Sequence, residues 1–248
     1  MKTNRTIATA ILIITVLVLS ACRLPFVDVT RGSGNLVTET REVSGFNEVQ
    51  LDGAGRLVIT QGETESLEIE AEDNIIDELT SGVQGQTLEL GFEEQLWRNN
   101  VIPTRGITYT LTVIDLTAIT FNGAGDLEME SLDTSSLELV INGAGQINLD
   151  ELTADSLSVQ VSGTGSIDIS GQVSSQSVTI DGAGNYEAGD LQTSSTTVDI
   201  NGLGNGTVWV TESLDVTIDG GGTLNYYGSP SVTQEINGVG DINNRGEK

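Results

Sequence analysis

The sequence predicts an all-β solenoid: a right-handed parallel β-helix with about two strands in each coil of about twenty residues. Three observations predict it. A four-residue turn of the form Asn142-Gly143-Ala144-Gly145 recurs, with its first residue at Asp52, Asn122, Asn142, Ser162, Asp181, Asn201, Asp219 and Asn237. From Asn122 onward the intervals are 20, 20, 19, 20, 18 and 18 residues, too regular for chance and too short for a helical repeat. The flanks alternate with a period of two. The residue before each turn is always apolar, and the one two places earlier is apolar in seven of eight turns, Gln234 being the exception. Two residues past the second glycine the chain is again apolar in seven of eight, with Gly206 the exception. Such alternation, in largely β-branched residues, marks half-buried strands meeting at a corner.

The turn chemistry fits. Asn and Asp fold their side chains back on nearby backbone, and glycine reaches positive φ without strain, so Asx-Gly-x-Gly is expected to bend the chain through left-handed backbone. A softer bend, such as Leu132-Asp133-Thr134-Ser135, lies between corners. Coils of equal length place like residues above like and run parallel, with right-handed crossovers. At a spacing of about 4.8 Å per coil the body is expected to be about 40 Å long.

Taken in order, residues 1–22 read as a lipoprotein signal peptide. Lys2 and Arg5 precede an apolar run from Ile7 to Leu19, and Leu19-Ser20-Ala21-Cys22 resembles the lipobox of bacterial lipoproteins. That resemblance implies diacylation of Cys22 and a membrane anchor through its lipid. Cys22 is the only cysteine, so no disulfide forms within the chain. Residues 23–40 read as a tether and first strand, and 41–248 as one β-helix domain, with irregular coils over 41–116 and regular repeats over 117–248. Within the irregular part, Asp73 to Leu79 breaks the alternation and is expected to form a helical turn with Asp73 or Asn74 as N-cap. Leu88–Phe92 and Ile107–Ile114 alternate as strands. Between them lies an excursion carrying Trp97, Arg98 and Arg105.

Charge narrows the partners. Without Lys2 and Arg5, 8 basic residues face 36 acidic ones, a net charge of −28, and no Lys, Arg or His lies between Arg105 and Arg245. The repeat body therefore has no cation with which to hold a phosphate or a uronate, which excludes nucleic acid as its partner. Outward acids such as Glu128, Glu130 and Glu138 keep the flat faces soluble.

Beyond this point the residues resemble a known family. Gly32-Ser33-Gly34-Asn35, then Arg41, Val43 and Phe46 ahead of the Asp52 turn, Asn74-Ile75-Ile76, and the later Gly-x-Gly corners make the chain similar to the bacterial head GIN domain family of autotransporter adhesins. The resemblance implies a pectin-lyase-like β-helix at the cell surface, adhesion to carbohydrate or protein, a homo-oligomer, and no catalytic residues.

The residues themselves leave three functions open: a binding module, a β-helix polysaccharide hydrolase working through a surface carboxylate pair, and a passive envelope component. A lyase would need a base and cations that the repeat body lacks. Gly123-Ala124-Gly125-Asp126 and Gly238-Val239-Gly240-Asp241 invite comparison with calcium-binding nonapeptide turns, but the period is near twenty and the Asp column does not persist. No metal or cofactor is therefore expected. Trp209 stands between inward Val208 and Val210, and Tyr227 follows inward Tyr226. Both should face outward, as candidate contacts for a sugar or a second subunit, with Trp97, Arg98 and Arg105 as a second candidate group.

Overall fold

The computed structural model describes residues 30–92 and 101–248. Its strands are β1 (Leu36–Arg41), β2 (Glu48–Asp52), β3 (Ala54–Gln61), β4 (Ser66–Glu72), β5 (Leu79–Gln84), β6 (Thr87–Phe92), β7 (Thr108–Val113), β8 (Ala118–Phe121), β9 (Ala124–Asp133), β10 (Ser136–Ile141), β11 (Ala144–Val161), β12 (Thr164–Ile180), β13 (Ala183–Ile200), β14 (Asn205–Ile218), β15 (Gly221–Tyr227), β16 (Ser231–Ile236) and β17 (Val239–Asn244). From β8 onward every neighbour in the stack is parallel, with register shifts only within the β11–β12, β12–β13 and β13–β14 ladders, so the regular repeats form the expected solenoid. The two strands anticipated in each coil join through a short middle ladder. In β11 and β12, Ala144–Leu149 pairs with Thr164–Ile169, Leu152–Ala154 with Gly171–Val173, and Ser156–Val161 with Ser175–Ile180.

Alternation fills the interior with aliphatic columns. Ile141, Ile147, Leu149, Leu152, Leu157, Val159 and Val161 are each at most 2 % exposed. Facing columns come from successive coils, so removing this apolar surface from water holds one coil to the next.

The corners turn for a different reason from the one expected. None of the glycines in the eight Gly-x-Gly corners has a positive φ; among the glycines of the described residues that conformation belongs to Gly34, Gly45, Gly85, Gly171, Gly228 and Gly246. What excludes a side chain is the coil below. A Cβ on Gly143 would lie 1.8 Å from the Gly123 carbonyl oxygen, and one on Gly163 would lie 1.8 Å from that of Gly143. Each of those oxygens accepts a hydrogen bond from the next coil, from Ala144 N–H at 2.9 Å and from Thr164 N–H at 2.9 Å. The Asx side chains likewise bond between coils rather than to their own turn. Asn122 donates to Asp52 at 2.7 Å, Asn142 to Asn122 at 2.9 Å, Asn201 to Asp181 at 2.8 Å and Asn237 to Asp219 at 2.9 Å. Ser162 is too short to join this ladder, and the nearest bond it receives is from Gln160 at 3.5 Å.

The irregular part is threaded out of order. β2 lies between β6 and β8, and β3 between β7 and β9. The chain thus lays down one coil, moves outward to build the end of the stack, and returns across the first coil. At that end β4 runs antiparallel to both β7 and β1, and β5 antiparallel to β6, so the parallel coils finish against reversed strands. The helical turn is a 3-10 turn at Ile76–Glu78 whose N-cap is Ile75, without a side-chain bond. Asp73 and Asn74 are not its caps because both are engaged elsewhere: Asn74 accepts from Ser33 N–H at 2.9 Å and donates to the Arg31 carbonyl at 2.9 Å, while Asp73 accepts from the Ser33 hydroxyl.

Glu72 pins this end. Its carboxylate, 1 % exposed, accepts Gly34 N–H at 2.7 Å and Thr104 N–H at 2.8 Å. Burial alone would raise its pKa, but the Thr104 hydroxyl and the backbone N–H groups of Thr104, Gly34 and Arg105 outweigh it and hold Glu72 at about 2 against an ordinary 4.5. The opposite end is open. Gln234, the exception in its column, is exposed there, and Ile236 and Val239 are 40 % and 87 % exposed.

Candidate functional site

An alignment on the softer bend exposes a second periodic column that the Asx-Gly alignment passes over. Ser136, Ser156, Ser175, Ser195, Ser213 and Ser231 are register partners through six coils. Each serine stands one residue before an inward position, where its short side chain sits at the corner between the middle ladder and the last one. Two residues later, on the same face, comes an outward column of Glu138, Ser158, Ser177, Thr197, Asp215 and Thr233. Together they line an open trough of about 930 Å³ that runs along the solenoid axis. Five steps of about 4.8 Å make it about 24 Å long.

Its centre carries hydroxyls and no charge. Carboxylates stand only toward the ends, at Glu48 and Glu138 and at Asp215, while the central coils offer Ser156, Ser158, Ser175, Ser177, Ser195 and Thr197. Hydroxyls both donate and accept, so the trough can satisfy a polar, uncharged ligand without a counter-ion. Its floor reaches a buried polar chain that replaces aliphatic columns: Tyr186 OH donates to Gln176 at 2.7 Å, Gln176 to Thr196 at 3.0 Å, and Thr196 meets Thr193 at 2.8 Å. Burial pushes the Tyr186 phenol up, so it stays a neutral donor. Gly206, the exception in its own column, is the register partner of Tyr186, and a Cβ there would lie 2.8 Å from Leu224 Cδ1.

The residues singled out from sequence lie elsewhere. Trp209 and Tyr227 are register partners on the outer face, both half-buried, with Lys248 Nζ 5.6 Å and 5.2 Å from their ring centroids. Arg105 is exposed and lines a separate depression of about 660 Å³ with Arg56 and Pro103. Trp97, Arg98 and Cys22 lie outside the described residues. Among the described residues no group of three His, Cys, Asp or Glu is placed to hold a metal ion, and no helix is long and apolar enough to cross a membrane.

A family model described as "Putative auto-transporter adhesin, head GIN domain" matches residues 45–230. A crystal structure of a "putative adhesin" from Bacteroides fragilis superposes with a TM-score of 0.82 at 30% identity, covering 86% of this chain and 99% of that one. A "putative adhesin" from Parabacteroides merdae shares the fold with a TM-score of 0.67 at 20% identity, covering 88% of this chain and 99% of that one. A "putative lipid binding protein" from Parabacteroides distasonis does so with a TM-score of 0.66 at 22% identity, covering 86% and 98%. No curated protein matches the chain.

Proposed function

The chain belongs to the family described as "Putative auto-transporter adhesin, head GIN domain", and from that premise we propose that it is a non-catalytic surface adhesin whose serine trough binds a neutral glycan chain. The observation that carries the reading is the run of hydroxyls through six successive coils, uncharged at its centre on a chain of net charge −26. An extended polyhydroxylated ligand laid along the axis meets the same pair of hydroxyls at each central coil, from Ser156 and Ser158 to Ser195 and Thr197. Many weak hydrogen bonds then add up, each worth about 1 kcal/mol net. An anionic polysaccharide would be repelled by the acids at either end and would find no cation among the lining residues.

In this reading the adhesin is exported and held at the envelope by lipid on Cys22, with the trough facing outward. The test pairs a glycan array with turnover assays on the polysaccharides bound. Neutral glycans should bind without product, and Ser177→Glu or Thr197→Glu should abolish binding, whereas Thr110→Glu on another strand should not. Product formation, or binding indifferent to both trough substitutions, would sink the proposal. Anchoring is checked separately: Cys22→Ala should move the protein from the detergent phase to the aqueous phase.

A further inference from the structure

The repeat is interrupted beside its aromatic pair. Between β13 and β14 the register slips from Ala188↔Val208 directly to Gln192↔Trp209, so Gly189, Asp190 and Leu191 have no partners in β14, although Asp190 and Leu191 keep Ser170 and Gly171 as partners in β12. Leu191 turns inward and is buried, leaving Gly189 and Asp190 on the outside. Trp209 and its register partner Tyr227 supply two ring faces next to this bulge. A Cβ at position 189 would stand 3.4 Å from Tyr227 Cε2 and 3.1 Å from Thr207 Cγ2, so glycine lets the bulge lie close against the ring.

The result is a half-open cage with two aromatic faces, one carboxylate and one carbonyl. It holds the ammonium of Lys248, which sits over both rings at 5.6 Å and 5.2 Å and donates to the Gly189 carbonyl and the Asp190 carboxylate. Ring faces attract a cation within about 6 Å of the centroid, and oxygen acceptors satisfy its N–H groups. Lys248 reaches the cage from a segment tied to the coil before it, by Gly228 N–H to the Gly246 carbonyl at 2.9 Å, Arg245 N–H to the Tyr226 carbonyl at 2.8 Å, Arg245 Nε to Asn225 at 3.0 Å and the Ser229 hydroxyl to Glu247, so vacating the cage needs only the lysine side chain to move.

We propose that Trp209, Tyr227, Asp190 and the Gly189 carbonyl form a binding site for a primary alkylammonium group, with Lys248 as an internal occupant that an outside amine displaces. Lysine side chains of a partner protein and free alkylamines share this chemistry. The site is separate from the serine trough and does not depend on the glycan reading. A tethered occupant lowers the apparent affinity by the fraction of time the site stands open. For an open state populated at about 0.1–10% that is a factor of at least about ten.

The test uses the full chain with Trp97→Phe, so that Trp209 is the only tryptophan and its emission reports the cage. The parent and Lys248→Gln are titrated with n-butylammonium, Nα-acetyl-lysine methylamide and tetramethylammonium at constant ionic strength, and unchanged melting curves establish folding. Lys248→Gln should bind n-butylammonium at least about tenfold more tightly than the parent, and adding Asp190→Asn or Tyr227→Ala should remove most of that gain. A lysine amide that binds better than n-butylammonium assigns the site to partner lysines, and equal binding assigns it to small amines. Identical titrations of parent and Lys248→Gln would overturn the proposal. So would tetramethylammonium binding as tightly as the primary amines, because it has no N–H to give to Gly189 and Asp190.

Discussion

Replacing Gly143 with alanine tests what holds the corners together. The new methyl would lie 1.8 Å from the Gly123 carbonyl oxygen and 2.8 Å from its carbon. Relieving that overlap requires neighbouring coils to part by on the order of 1 Å, since non-bonded heavy atoms rest near 3.5 Å. The Ala144 N–H bond to the same oxygen, 2.9 Å long, then stretches beyond hydrogen-bonding range. Overpacking costs about 1–3 kcal/mol and the lost bond about 1 kcal/mol, which together give about 3 kcal/mol. For a chain of this size that is a fall in Tm of roughly 6–12 °C. Urea and thermal unfolding followed by circular dichroism measure it, with Asn142→Ala as the control that removes only one exposed side-chain bond. Gly143→Asn discriminates the cause. If the corner needed left-handed backbone, Asn would be better tolerated than Ala; if the coil below is the obstacle, Asn is at least as damaging. A Gly143→Ala protein within about 0.5 kcal/mol of the parent, or a clearly milder Gly143→Asn, would refute the steric account.

Other perturbations follow from the same geometry. Glu72 is held at about 2 against an ordinary 4.5, so its contribution to stability is complete above pH 4.5 and is lost as pH falls from there through 2. The stability gap between the parent and Glu72→Gln should be widest at neutral pH and close across that window, and a gap that stays constant on acidification would contradict the assignment. Tyr186→Phe leaves the Gln176 carbonyl oxygen without its 2.7 Å donor in the interior and should cost about 1–3 kcal/mol. Tyr109→Phe removes a buried hydroxyl that finds no partner among the described residues, so its unfolding midpoint should be unchanged or higher. The two results reversed would mean that the polar chain is not a stabilising one.

The corner column, the inward aliphatic columns and the open final coil were legible in the sequence, each for a local reason. Ile141, Val161 and Ile200 carry the period of two within their own strands, and Gln234 breaks it where the stack runs out of neighbours. The trough was legible too, but only under an alignment on the bend before Leu137, Leu157 and Leu214 rather than on the Asx-Gly turn. Of the cage around Lys248, the alternation signalled only the outward rings of Trp209 and Tyr227. Gly189 and Trp209 are brought together by a register slip, and Lys248 reaches Gly189 across 59 residues of chain.

Residue order alone determined that this protein coils, how long each coil is, and which side of each strand is dry, because alternation and turn spacing act over a few neighbouring residues. Only the tertiary structure decided which coil lies against which. Val49 has Leu88 on one side and Ile119 on the other, and all three carry the same strand pattern, so nothing local tells the chain that its second coil belongs outside its first. Glycine at the corners has the same two-sided origin. Its place is visible in the repeat, but the need for it arises only when the carbonyl of another coil comes to rest where a Cβ would be.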